Sequence, residues 1–157
     1  VNSGALPATA DPSAADDALV AQPIGYWSGA VHKAVIKRLR DSMAGIDVTQ
    51  PQWWTLTRVG AGGGLTREDV VAQLADVADG PDEVPRAVDQ LLHRGWIDAD
   101  ERGRLRLTDA GRAAQGRVRD LVAGLRAQIH QGIADDEYVA ALKVMRRMIS
   151  NIDSMTG

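Results

Sequence analysis

The chain has 157 residues, 45% of them hydrophobic and 25% charged, with a formal net charge of −3. That length suits one core with at most an appendage, and no apolar run approaches the roughly 20 residues a membrane-spanning helix needs. The absence of Cys excludes disulfides, thiolate metal sites and thiol redox sensing. The three His (His32, His93 and His130) show no ligand spacing, so neither metal nor cofactor is expected.

Residues 1–22 are rich in Ala, Asp, Pro and Ser, with Asp11, Asp16, Asp17 and no base. They lack both apolar periodicity and the basic start and apolar run of a secretory signal. The expectation is a disordered arm on a cytoplasmic protein. From Ile24 to about Ala44, Ile24, Trp27, Val31, Val35, Leu39 and Met43 recur every three or four residues, the mark of an amphipathic helix. Thr49-Gln50-Pro51-Gln52 then reads as a capping box, with Val48 and Trp53 at the staple positions, opening a helix that ends at Gly60.

Leu65-Thr66-Arg67-Glu68-Asp69-Val70 repeats that start signal for a third helix reaching about Val77. A fourth is expected from about Asp82 to His93, with Val84, Val88, Leu91 and Leu92 as its buried face and Arg94-Gly95 as its stop. The period then changes. Trp96–Asp100 and Arg104–Leu107 read as two short strands around Glu101-Arg102-Gly103. Thr108 caps a long helix from Asp109 to about Gln131, and Asp135 is read as the cap of a last helix carrying Tyr138, Leu142, Met145, Ile149 and Ile152. Two consecutive helices with such seams call for a partner helix.

The order of four helices, a hairpin and two helices resembles the MarR family of bacterial winged-helix transcription regulators, over about residues 23–155. The pieces that carry the likeness are Thr49-Gln50-Pro51-Gln52-Trp53, Leu65-Thr66, Val84-Pro85-Arg86-Ala87-Val88-Asp89-Gln90-Leu91, Arg94-Gly95-Trp96-Ile97 and Leu107-Thr108-Asp109-Ala110-Gly111. The implied fold is mainly α with a small β-hairpin wing and about six helices. Residues 46–108 would form the winged helix-turn-helix lobe, and 23–45 with 109–157 the dimerisation helices of a homodimer. The implied partner is double-stranded DNA, a pseudo-palindromic operator with half-sites about one turn apart. The fourth helix would enter the major groove and the wing the minor groove, and a small aromatic ligand would bind where the dimerisation part meets the lobe.

On those positions the candidate DNA contacts are Asp82, Glu83, Arg86, Arg94, Arg102 and Arg104. Three departures from the family pattern stand out. The reading helix opens on Asp82 and Glu83, and carboxylates repel phosphates; they can accept from a cytosine amino group or simply favour a helix N-terminus. Pro85 replaces a hydroxyl residue, tolerated in a first turn because its missing amide would have had no partner. The wing is short, its Arg102 and Arg104 suited to a narrow minor groove or to solvation. Arg86 takes the family's base- or phosphate-contacting position, or pairs with Asp89 or Asp82 on its own helix.

The candidate ligand pocket is the aromatic set Tyr26, Trp27, Trp53 and Trp54 with the titratable His32; core and dimer packing is the alternative. Neighbouring helix residues point about 100° apart, so one of Trp53 and Trp54 should pack while the other lines a crevice or the dimer interface. No Ser/His/Asp order, HExxH or phosphate loop is present: Gly60-Ala61-Gly62-Gly63-Gly64 lacks the Lys and Ser/Thr, and Asp135-Asp136-Glu137 fits a helix start better than a metal. The chain reads as a ligand-responsive regulator, not an enzyme. The other reading is a ligand-binding or protein-interaction module on a winged-helix frame that has lost most of its DNA binding.

Overall fold

The structure is a computed structural model that describes residues 12–155. Its contacts divide into a unit ending at Arg40 and a unit beginning at Asp41. The first unit holds helix α1, Pro12–Val20, and most of helix α2, Ile24–Ala44. α1 lies within the stretch expected to be a disordered arm, so the described residues include one helix more than the sequence suggested. Its Ala-Ala-Asp-Asp-Ala-Leu run has good helix formers, while residues 16–20 stay exposed, in keeping with a segment that has little to bury. Residues 1–11 of the expected arm lie outside the described residues.

The second unit takes its shape from local start signals. Helix α3, Gln50–Gly60, opens on the capping box: the Gln52 amide donates to Thr49 Oγ1 at 3.3 Å and the Thr49 amide to Gln52 Oε1 at 3.2 Å. Helix α4, Arg67–Leu74, opens the same way on Thr66 and Asp69. It stops three residues earlier than expected, in a turn where the Val77 and Ala78 amides both donate to the Leu74 carbonyl. Helix α5 is Glu83–His93, with Asp82 at its N-cap, and helix α6 is Asp109–Ile129 behind Thr108. In helix α7, Asp135–Met155, Asp135 is the first helical residue; the Glu137 carboxylate, accepting from the Ala134 amide at 3.1 Å, closes that end instead.

Strands β1, Ile97–Ala99, and β2, Leu105–Leu107, pair antiparallel with Ile97 opposite Leu107 and Ala99 opposite Leu105. A third line of chain lies beside them: the Leu105 amide donates to the Leu65 carbonyl at 2.8 Å, and Thr66 bridges to Arg104. The core gathers Leu56 and Val59 of α3, Val70 and Leu74 of α4, Val84, Val88 and Leu91 of α5, Ile97 and Leu105 of the hairpin, and Ala114 and Val118 of α6. No residue of α7 is buried.

One close approach joins the hairpin to α6. Thr108 donates its amide to the Trp96 carbonyl at 3.0 Å and its hydroxyl to the Gly95 carbonyl at 2.6 Å, while its Oγ1 accepts from the Gly111 amide at 3.1 Å. This draws Gly111 so near the hairpin that a Cβ there would lie 1.8 Å from the Trp96 carbonyl oxygen. Trp96 is itself buried, with the Arg94 guanidinium 3.6 Å from its ring centroid. Gly111→Ala must push α6 off the hairpin and is expected to cost about 3 kcal/mol, a fall of roughly 6–12 °C in Tm by thermal unfolding. A fall under about 2 °C would contradict the close contact.

Candidate nucleic-acid interface

The orientation of α5 is set by contacts from two other helices. From α4, Arg67 forms a two-pronged ion pair with Asp89, through Nη1 to Oδ1 and through Nη2 to Oδ2 at 3.0 Å, and Nη2 also donates to the Pro85 carbonyl at 3.3 Å. From α3, the buried Gln52 donates Nε2 to Gln90 Oε1 at 2.9 Å. At the start of α5, Asp82 makes no side-chain cap, and the Glu83 carboxylate accepts from the Asp79 amide at 2.8 Å. Glu83 therefore fastens the preceding turn.

The six candidate DNA contacts separate into two groups. Arg86 is exposed and has no hydrogen-bond or ion-pair partner among the described residues; Asp89, one partner considered for it, is held by Arg67. Arg102 is exposed at the hairpin turn, its amide donating to Asp100 Oδ1 at 2.8 Å and its guanidinium without a partner among the described residues. By contrast, Arg104 is paired with Asp100, Nε to Oδ2 at 2.9 Å. Arg94 donates to the Asp47 carbonyl at 2.6 Å, the Asp47 carboxylate at 3.3 Å and Gln52 Oε1 at 3.3 Å, besides stacking on Trp96. Arg106 and Arg112 are likewise paired, with Asp98 and Asp109. Two arginines of the lobe, Arg86 and Arg102, thus offer open charge where a reading helix and a wing would meet phosphate.

The aromatic candidates fall in both units. In the first, Tyr26 and Trp27 meet edge to face with centroids 5.4 Å apart, Trp27 Nε1 donates to Gln22 Oε1 at 2.5 Å, and His32 is exposed. In the second, Trp53 and Trp54 are both half-buried. The buried line of α3 runs instead through Gln52, Thr55, Leu56 and Val59, between the two indoles. Among the described residues no cluster of three or more His, Cys, Asp or Glu is placed to hold a metal ion, and no helix is long and apolar enough to cross a membrane.

Sequence reasoning missed Arg67, whose partner lies 22 residues away on another helix. It also missed an aromatic contact between α6 and α7, where His130 and Tyr138 have ring centroids 4.5 Å apart and Arg126 lies 5.2 Å from the Tyr138 ring. The only advance signal for either was a cation or aromatic at helical spacing, and many positions share that.

No protein-family model matches the chain, and no curated protein does. Solved structures match its fold. A Listeria innocua protein of unknown function is similar over 82% of this chain and 91% of its own, at 24% identity and a TM-score of 0.67. A Mycobacterium tuberculosis MarR family protein, Rv2887, solved in complex with DNA, is similar over 81% of this chain and 98% of its own, at 16% identity and a TM-score of 0.65. The transcriptional repressor CouR bound to p-coumaroyl-CoA is similar over 81% of this chain and 91% of its own, at 22% identity and a TM-score of 0.64. The chain has the MarR-type winged-helix fold.

Three carboxylates in this region sit below their ordinary range: Asp69 through the Thr66 amide, Asp89 through the Arg67 hydrogen bond and Asp100 through the Arg104 amide. Folded values below the unfolded value of about 3.9 mean that the unfolded chain takes up protons first as pH falls. Their stabilisation is complete above the unfolded value and disappears as pH drops through the lowered ones. Tm should hold between about pH 7 and 5 and decline below about pH 4, less steeply in Asp89→Asn. A Tm that stays level down to about pH 3 would contradict these three contacts.

A second prediction separates the two groups of arginines. Arg94→Ala removes charged hydrogen bonds and a stacked cation, and is expected to cost about 2 kcal/mol. Arg86→Ala, with no partner to lose, should leave thermal unfolding within about 0.5 kcal/mol of the parent. Equal losses of stability in the two variants would contradict the assignment.

Proposed function

We propose that the chain is a dimeric, MarR-like transcriptional regulator that binds a pseudo-palindromic operator and is released by a small aromatic or apolar ligand. The observation that carries the reading is the pair of arginines without a side-chain partner among the described residues, Arg86 on α5 and Arg102 at the hairpin turn, on a fold shared with a protein solved on DNA. In this reading Arg86 contacts a phosphate or base edge in the major groove and Arg102 reaches the minor groove. Asp82 and Glu83 border the contact and, where they meet bases, select cytosine. Arg94 and Arg104 act through the shape of the lobe. The lobe spans 46–108, and 23–45 with 109–157 dimerise.

Support for the dimer comes from α7, whose Leu142, Ile149, Ile152 and Met155 are all exposed apolar residues at helical spacing. Water-facing apolar area of that kind marks an interaction surface. The ligand would bind at Tyr26, Trp27, His32, Trp53 and Trp54, and the structural likeness to a repressor bound to an aromatic acyl thioester favours that chemistry. Such a regulator works in the cytoplasm and needs neither metal nor cofactor. A second reading, a ligand or protein-interaction module without DNA binding, draws on Asp82 and Glu83 at the head of α5.

Selection from a random duplex pool tests the proposal. Enrichment of a pseudo-palindrome with half-sites about 10 base pairs apart is expected, and Arg86→Ala should weaken binding to the selected duplex by about 10- to 100-fold. No enrichment, or an unchanged affinity in Arg86→Ala, would favour the second reading. Sedimentation should give a dimer that Leu142→Asp with Ile149→Asp converts to monomer; a monomeric parent would remove the dimer from the proposal.

A further inference from the structure

Between the end of α4 and the start of α5 lies a cavity of about 370 Å3, lined by Val71, Ala75, Ala78, Gly80, Pro81 and Val84. It is built wholly from the second unit and shares no residue with the aromatic set. Its walls are apolar or glycine throughout, and Val84 at its base is buried. An apolar hollow of this size, large enough for a single-ring molecule, binds by removing apolar surface from water. No lining side chain offers a hydrogen bond to orient a polar ligand.

Charge decides which apolar ligand fits. From Glu68 to Pro85 the chain has six carboxylates and no Lys, Arg or His. Four of the six adjoin a lining residue in sequence: Asp76 follows Ala75, Asp79 lies between Ala78 and Gly80, Asp82 follows Pro81 and Glu83 precedes Val84. The cations on either side are Arg67, held by Asp89, and Arg86, which is exposed on α5. An aromatic carboxylate entering this hollow would meet a field of its own sign, whereas an aromatic or alkyl ammonium ion would be attracted.

We propose that this cavity is a binding site for a small hydrophobic cation, an amine or quaternary ammonium carrying one ring. The occupant inserts its ring between Val71, Ala75, Ala78 and Val84 and leaves its charged end among the carboxylates at the solvent side. Because Gly80, Pro81 and Val84 form the turn into α5, filling the cavity fixes the start of the reading helix. That consequence rests on the DNA-binding reading; the binding itself does not.

The test uses benzyltrimethylammonium as the probe, titrated into the full chain in the absence of DNA and followed by amide chemical shifts. Saturable shifts at Ala75, Ala78, Gly80 and Val84 are expected, with benzoate giving none. Asp76→Asn with Asp82→Asn should weaken the probe's Kd by about three- to tenfold, the loss expected for partly screened charges. Ala78→Leu should abolish the shifts by filling the cavity. Ala75→Leu, at an exposed lining residue of the cavity, provides a second block if the first disturbs folding. Absence of saturable shifts overturns the site, as do shifts confined to Tyr26, Trp27, Trp53 and Trp54. An equal response to benzoate, or a Kd unchanged by removing the two charges, overturns the ligand class.

Discussion

The contact between Gly111 and the Trp96 carbonyl is where the lobe and the long helix α6 become one object. Two hydrogen bonds from Thr108, to the Trp96 and Gly95 carbonyls, draw the two segments together, and only the absence of a side chain at Gly111 lets them meet. The placement of α5 depends on that joint. Trp96 is buried beneath it, Arg94 stacks on Trp96, and Arg94 reaches on to Asp47 and Gln52, so the end of α5 is tied to the start of α3. A displacement of α6 would therefore be felt at α5 through a short chain of packed groups. That is the geometry a ligand-responsive regulator would use.

The second organising fact is how the arginines are distributed between internal and open roles. Arg67, Arg94, Arg104, Arg106 and Arg112 are engaged with carboxylates of the same lobe or its flanking helix. These pairs are mostly exposed, and their value lies more in setting angles and turns than in stability. The Arg67 fork fixes the rotation of α5 against α4, and Asp100 gathers the amides of Arg102 and Arg104 to shape the hairpin turn. At the start of α5 and at the hairpin turn, Arg86 and Arg102 remain for an external polyanion, beside the exposed Asp82; Arg58 on α3 is likewise exposed with no partner among the described residues. With so few open cations, the lobe would bind DNA through few phosphate contacts and depend on the dimer to double them.

Most of the architecture was legible in the sequence because its signals are local. Thr49 with Gln52, Thr66 with Asp69, and Thr108 each announce a helix within four residues, and the switch to alternating residues at Trp96 announces the hairpin. The helix α1 was not legible: Pro12–Val20 shows no repeating apolar pattern, and periodicity is silent about a segment whose residues 16–20 stay exposed. The interface was legible only in part. Residue positions could be named, but whether Arg94 or Arg104 was open or engaged turned on Asp47, 47 residues away, and on the turn geometry that brings Asp100 round to Arg104. The burial of Trp53 and Trp54 was not legible, because helical angles predict divergence but not which face the core will take.

Open charge at Arg86 and Arg102, doubled in a dimer, is the proposed carrier of the contact with DNA. The dependence of affinity on salt, measured between about 50 and 200 mM on one bound duplex, tests it most directly. Four neutralised phosphates give a slope of about −3.6 in log affinity against log salt, and a slope of that size or steeper is expected. A slope near zero, or no duplex binding at the lower salt, would contradict it.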